Sequence, residues 1–364
     1  MERIVKALLA IFAAASLSVT LCAADYEDEL SDGLSGLDIS GASEFLYENG
    51  VDPSEPESVS NITADSILKY FWSIFQSSVS GPARLILTAL AVSMISQIAC
   101  SLSFNSRFGK EVFVIICFLA ISGQILGSVS DMLSSLGTQQ AFIASYIPIF
   151  AVITAASGNI AGAATYNALV LYAAEGVTLI STLVLRPMLC CMLVIACAQS
   201  INPSLPDITG TMRRIFIGLI GVLMTVFVGV IGLQTVIGRT GTGLVLRAGR
   251  YLVSSFVPII GMSLSESYKN VMLSISAIRS AVGALGIVVI IVVLSVPIVT
   301  MLAYRISLRI AEILCGLTGS DMLASLMRGL ADVYSLCVTL LLTYLLMFVI
   351  STGVIILIGS EAYL

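Results

Sequence analysis

The side chains that usually carry catalysis are scarce in this chain. Histidine is absent from its 364 residues, which removes the commonest general base at neutral pH and the commonest metal ligand. The eight cysteines form no Cys-x-x-Cys pair that would hold zinc or cycle a disulfide, so we interpret them as small apolar core residues. No Walker motif, Ser/His/Asp set or acid pair at catalytic spacing occurs. We therefore expect no enzymatic activity and no bound cofactor or metal.

Glu175 is the acid with the most unusual surroundings. It lies near the middle of the apolar segment 162–185, where an ionised carboxylate costs roughly 2.5–3.5 kcal/mol on membrane-insertion scales. Such residues usually face the interior of a helix bundle or a wet cavity. Two interpretations stay open: a residue that lines a transport path or couples it to protons, and a buried hydrogen bond between helices.

Uncharged amides recur within the other apolar segments. The most central of them are Asn167, Gln199 and Gln234. Each could line a path, and each could instead connect two membrane helices by a hydrogen bond, at roughly 0.6–2 kcal/mol apiece.

Small residues also recur at helical spacing. The pairs Gly123/Gly127 and Gly158/Gly162 have the four-residue spacing that lets two helix backbones approach closely. This spacing predicts helix packing within the chain or between subunits. It does not distinguish a channel from a transporter or a scaffold.

Long uncharged segments define the elements that must position these residues. Hydrophobic residues make up 58% of the chain and charged residues 11%. Seven stretches lack any ionisable side chain: 85–106, 112–130, 132–174, 187–206, 215–238, 280–304 and 333–360. About twenty apolar residues in a helix cross a bilayer, and stretches this long without alternation are helices rather than barrel strands. The sequence predicts an all-α polytopic integral membrane bundle with six to eight spans.

The individual spans follow from the same pattern. We place them at 85–104, 112–129, 140–157, 162–185, 187–202, 215–237, 283–303 and 333–358. We interpret residues 303–332 as two short amphipathic helices joined at 316–321. With eight spans and an external start, the bases near residues 107, 213 and 305 are cytoplasmic, as the positive-inside rule requires. The same arrangement leaves Arg186 and Arg279 outside, against that rule.

Charge divides the chain into four parts. Residues 1–24 have the layout of a secretory signal peptide, with bases, an apolar stretch and small residues before Asp25. Residues 25–62 are acidic, and we expect them to be flexible and extracytoplasmic. The apolar pattern of residues 63–82 predicts an interfacial amphipathic helix. We expect residues 83–364 to form the transmembrane domain. The net charge of −5 belongs to the acidic segment, and no basic, aromatic-rich patch suggests nucleic acid.

Three sequence blocks resemble a known family. They are Tyr146-Ile147-Pro148, then Thr225-Val226-Phe227-Val228-Gly229-Val230, and then Phe256-Val257-Pro258-Ile259-Ile260-Gly261. Together with the leader and the acidic segment, they make the chain similar to the stage III sporulation protein AE family of endospore formers. The likeness extends over most of 85–360.

The resemblance implies a non-enzymatic membrane subunit of a channel that moves molecules from the mother cell to the forespore. It implies a multi-pass location in the mother-cell membrane around the forespore, with residues 25–82 extracytoplasmic. Partners would be the lipid bilayer and other stage III proteins, including a secretion-type ATPase and ring-forming proteins. Self-association into a homo-oligomer is also compatible with it. Two alternatives stay open: a stand-alone secondary transporter with Glu175 as coupling carboxylate, and a membrane scaffold for ring proteins.

Overall fold

The computed structural model describes residues 40–51, 58, 62–101, 107–156, 160–202, 207–256 and 261–361. These ranges contain helices and no strand. The helices are α1 Ser40–Glu48, α2 Ala64–Ser78, α3 Ser80–Ser101, α4 Arg107–Ala156, α5 Ile160–Leu179, a π-helical segment Ile180–Leu185, α6 Arg186–Ile201, α7 Ile208–Phe256, α8 Gly261–Leu317 and α9 Asp321–Glu361.

Several of these helices join into longer rods. Val79 has helical φ and ψ of −70° and −27°, so α2 continues into α3. Leu185 is also helical, and Pro187 follows the π-helical segment without interrupting the helical backbone. The segment from α5 through the π-helical turns to α6 is therefore one rod. Six rods result, of which α8 alone has 57 residues, or about 85 Å at 1.5 Å per residue.

Rods that follow each other in the chain alternate in direction. Ser78 contacts Thr300 and Ser93 contacts Thr318, so α2 and α3 run parallel to α8. Gln124 contacts Tyr304, whereas Tyr146 further along α4 donates to the carbonyl of Val282, so α4 is antiparallel to α8.

α8 and α9 form a hairpin. Its turn spans 318–320, and Gly319 there has a φ of +78°, a conformation that glycine adopts without strain. We call the end of the bundle that carries this hairpin the turn end.

α9 forms the centre of the bundle, because it contacts α8, α7, α6, α5 and α4. Near the turn end, the ring of Tyr334 stacks on Tyr304 with centroids 5.2 Å apart. Towards the other end, Phe348 packs against Phe142 and Tyr146 of α4. These aromatic contacts hold α4 and α8 on two sides of α9.

Six helical segments are long and apolar enough to cross a membrane: Ser80–Ala99, Lys110–Ala156, Leu183–Ile201, Ile208–Gly232, Leu273–Leu317 and Asp321–Leu357. The prediction of an all-α polytopic membrane bundle is confirmed, with one such segment on each of the six rods. The finer drawing of eight separate spans is wrong. Predicted spans 112–129 and 140–157 are two parts of α4, because the residues between them include no proline and Gly137 there has no positive φ.

Two other boundaries also differ from expectation. Predicted spans 162–185 and 187–202 belong to one continuous rod. Residues 303–332 are not two short helices, since 303–317 end α8 and 321–332 begin α9. The join itself, at 318–320, lies within the predicted interval of 316–321.

The amino-terminal parts are described only in pieces. The predicted signal peptide at 1–24 lies outside the described residues. Within the segment 25–62, predicted to be flexible, residues 40–48 instead form α1, because Phe45, Leu46 and Val51 are buried and α1 contacts α8. α2 covers most of the predicted amphipathic helix 63–82 and leaves Trp72 61% exposed.

Candidate functional site

A network of ion pairs connects three helices near the turn end. Asp332 Oδ1 of α9 accepts from Arg213 of α7 at 2.8 Å and from Arg309 of α8 at 3.2 Å. Glu312 of α8 accepts from Arg309 at 2.8 Å and from Arg328 of α9 at 2.7 Å. We call these five residues the charge network.

Helical spacing explains how the charge network forms. Arg309 and Glu312 are three residues apart on α8, and Arg328 and Asp332 are four apart on α9, so each pair shares one helix face. The hairpin turns these two faces towards each other. Arg213, one turn into α7, completes the network from the third helix.

The acids of the network are better covered than the bases. The side chains of Glu312 and Asp332 are 14% and 16% exposed, whereas that of Arg328 is 65% exposed. Two carboxylates among three guanidinium groups leave one excess positive charge. The arrangement can fix the relative positions of α7, α8 and α9 and can attract an anionic group. It holds no nucleophile and base in hydrogen-bonding range of each other.

A small apolar cavity lies further from the turn end, between α4, α5, α7 and α9. It has about 10 Å³ available to the centre of a water-sized sphere, which is room for about one water molecule. The lining residues are Ile143, Val170, Ala173, Ala174, Phe227, Tyr344, Met347 and Phe348. Among the described residues the buried hydroxyl of Tyr344 has no hydrogen-bond partner.

Glu175 does not line this cavity. It is exposed on the outer face of α5 beside the exposed Tyr172, while its neighbour Ala174 faces inwards. Asn167, two turns earlier on α5, is half-buried, and its Oδ1 has no hydrogen-bond partner among the described residues. The structure therefore keeps these two predicted path residues on one helix without bringing them to a common site.

The other predicted residues are dispersed. Gln199 accepts a hydrogen bond from Thr209 across the α6–α7 connection. Gln234 lies in α7, and its side chain falls outside the described part. Gly123 and Gly127 are exposed on α4, and an added Cβ at either would meet nothing within 4 Å. Gly158 lies outside the described residues, and Gly162 belongs to α5.

The three resemblance blocks lie on different helices: 146–148 on α4, 225–230 on α7, and the third block between the end of α7 and the start of α8. Phe227 is buried and lines the cavity, whereas Thr225 and Gly229 are exposed on the opposite face of α7. Phe256 ends α7 and Gly261 begins α8, and Pro258 lies outside the described residues.

Sequence reasoning missed the environment of Arg279, which was expected in an external loop. It is 0% exposed within α8, where its guanidinium reaches Ser276 Oγ at 3.4 Å and the carbonyl of Ile356 at 3.5 Å. The sequence signal was its position directly before the uncharged stretch 280–304. Among the described residues, no three His, Cys, Asp or Glu side chains lie close enough to hold a metal ion.

Comparison with known proteins gives one match. A family model described as stage III sporulation protein AE matches residues 47–359, which covers α2 to α9 almost completely. The curated proteins and the solved structures contain no match to this chain.

Proposed function

Because this chain belongs to the stage III sporulation protein AE family, we propose that it is a non-enzymatic membrane subunit of a channel between mother cell and forespore. The channel would move molecules into the developing spore from the mother-cell membrane that surrounds it. Residues 25–82 would face the space outside the mother-cell cytoplasm.

The observation that carries this proposal is the family match over 47–359. Six apolar rods support it, since such a chain is built to reside in a membrane. The charge network holds α7, α8 and α9 together at one end, which is compatible with a fixed membrane subunit. The chain has no nucleotide-binding motif, so a partner ATPase or a gradient would supply the energy.

The partners follow from the same proposal. A secretion-type ATPase would act from the mother-cell side, and ring-forming stage III proteins would meet the extracytoplasmic face. Residues 25–62 are the natural contact for the rings because they hold half of the chain's acids and no Lys or Arg, and because they precede the first rod. No nucleic acid or cofactor is required.

Passage into the forespore is the direct test. In an endospore former whose own gene is replaced by this one, removal of the chain should stop the entry of a small fluorescent tracer into the engulfed forespore. Late forespore gene expression should fall with it. Unchanged tracer entry in the deletion strain would contradict the proposal.

The stand-alone transporter remains the second candidate, with Glu175 as its coupling carboxylate. Glu175 lies on an outer helix face, so a coupled path would need a cover from another subunit. Glu175→Gln should abolish tracer entry if this carboxylate couples protons, whereas the channel proposal predicts near-normal entry. Tyr172→Phe, on the same exposed face, is the matched control.

The scaffold alternative is tested through the acidic segment. Deletion of residues 25–62 should release the ring proteins during co-purification. If tracer entry persists while the rings are lost, the chain conducts by itself and is not merely an anchor.

A further inference from the structure

Two opposite charges lie on the outer faces of apolar segments. Asp131 is exposed on α4, and its carboxylate makes no ion pair with a described residue. Arg214 of α7 has a 77% exposed side chain, and its contact with Asp207 is a long 3.8 Å. Charges in such segments usually meet a partner of the opposite sign or water.

These two charges lie at the same height along the bundle. Ser128 of α4 bonds to Tyr334 of α9, and Arg213 of α7 bonds to Asp332, half a turn away. Further along, Ile143 of α4 and Phe227 of α7 line the same cavity. α4 and α7 therefore run parallel with a constant offset, which places Asp131 level with Arg214.

Beyond Asp131 and Arg214, the exposed sides of α4 and α7 carry small residues. On α4 and α7 they form three level pairs: Ser134 with Gly218, Gly137 with Gly221, and Ala141 with Thr225. All six are exposed, and a Cβ added at any of the three glycines would meet nothing within 4 Å. The three small residues are spaced by three and then four positions on both faces, whereas Asp131 precedes its first small residue by three positions and Arg214 by four. Each face can accept a helix at close approach.

Lipid alone cannot cover the apolar surface of this molecule. On α8, Leu273 is 44% exposed and Leu317 is 79% exposed. They are separated by about 66 Å at 1.5 Å per residue, whereas the hydrocarbon core of a bilayer is about 30 Å thick. Part of the exposed apolar surface therefore needs protein to cover it.

We propose that α4 of one copy of this chain packs in parallel against α7 of a second copy, with Asp131 opposite Arg214. A second copy is the occupant because one chain carries both complementary faces, equal in height, direction and spacing and opposite in charge. A contact of this head-to-tail kind, repeated around an axis along the helices, closes into a ring. This contact between copies does not depend on the transport function proposed above.

Cysteine cross-linking tests this contact in the full-length chain. Two differently tagged copies are co-expressed in membranes, one with Ser134→Cys and one with Gly218→Cys. Oxidation should join the two tags at least tenfold more efficiently than in the control pair Gly127→Cys and Gly232→Cys. Those control residues belong to the same two faces but lie at different heights, so an equal yield in both pairs, or none, would overturn the proposal.

A charge exchange provides the second measurement. Asp131→Arg or Arg214→Asp alone should reduce the oligomeric fraction in detergent at least fivefold, and the double variant should recover most of it. A monomeric parent chain, or an oligomer indifferent to both substitutions, contradicts the contact. A cross-link between two Ser134→Cys copies also contradicts it, because that result would place α4 against α4.

Discussion

Asp332 accepts hydrogen bonds from arginines on two other helices, so its charge matters more than its size. Asp332→Asn keeps the shape but leaves Arg213 and Arg309 without a shared carboxylate. We expect a loss of roughly 1–3 kcal/mol in unfolding free energy, because two partly covered guanidinium groups lose their counter-charge. The thermal midpoint in detergent measures it. Asp65→Asn, at an exposed pair with Lys69, should leave the thermal midpoint nearly unchanged because solvent screens this pair, and an equal loss there would contradict the expected role of Asp332.

Gln139, unlike Asp332, is a polar residue whose replacement should stabilise the protein. It is 0% exposed, and among the described residues neither atom of its amide has a hydrogen-bond partner. Gln139→Met should raise the free energy of unfolding by about 1–2 kcal/mol, because a desolvated amide is replaced by an apolar side chain of similar shape. The thermal midpoint in detergent should rise with it. Gln124→Met is the matched control and should lower the midpoint, because Gln124 donates to the carbonyl of Gly81 at 2.6 Å. A lower thermal midpoint for Gln139→Met would indicate that a bound water or ligand satisfies the amide of Gln139.

At the scale of elements, helix contacts depend on a few glycines. Gly286 of α8 lies against the buried ring of Tyr146, which a Cβ at this position would overlap. The ring cannot move aside because its hydroxyl donates to Val282. Gly286→Ala should therefore lower the thermal midpoint by several degrees, by separating α8 from α4.

Gly176→Ala serves as the comparison. An added Cβ there meets nothing within 4 Å, so the higher helix propensity of alanine should leave stability unchanged or raise it by up to about 1 kcal/mol. A loss as large as that of Gly286→Ala would show that the result reflects glycine replacement in general.

The elements show where sequence reasoning succeeded and where it stopped. Uncharged stretches predicted the helices correctly, because backbone groups in lipid must be satisfied within the helix. The same pattern divided α4 into two spans at the polar residues around Asp131. Polarity alone does not end a helix. Even Pro148 and Pro297 lie inside α4 and α8, whereas the turn after α8 contains Gly319 at a positive φ.

At the scale of the whole molecule, the six rods alternate in direction along the chain. Their directions determine which connections lie on the same side of the membrane. Cysteines at Asn202 and Gly319, introduced into a chain without other cysteines, should react with an impermeant reagent from the same side. A cysteine at Ala156, at the end of α4, should react only from the opposite side. The predicted eight-span arrangement reverses the chain between residues 129 and 140 and would place Ala156 on the same side as Asn202 and Gly319. Reaction of all three cysteines from one side would therefore contradict the six rods.

The sequence by itself determined the class of this protein, since hydropathy and the absence of charge act locally and need no knowledge of neighbours. It also carried the family resemblance, which the match over 47–359 confirms. Only the tertiary structure decided which charges meet. Arg213, Glu312 and Asp332 are far apart in sequence, and Glu175 is exposed although its position within α5 suggested burial. Both outcomes depend on how each helix is rotated about its own axis, which is set by packing between helices rather than by the pattern along one of them.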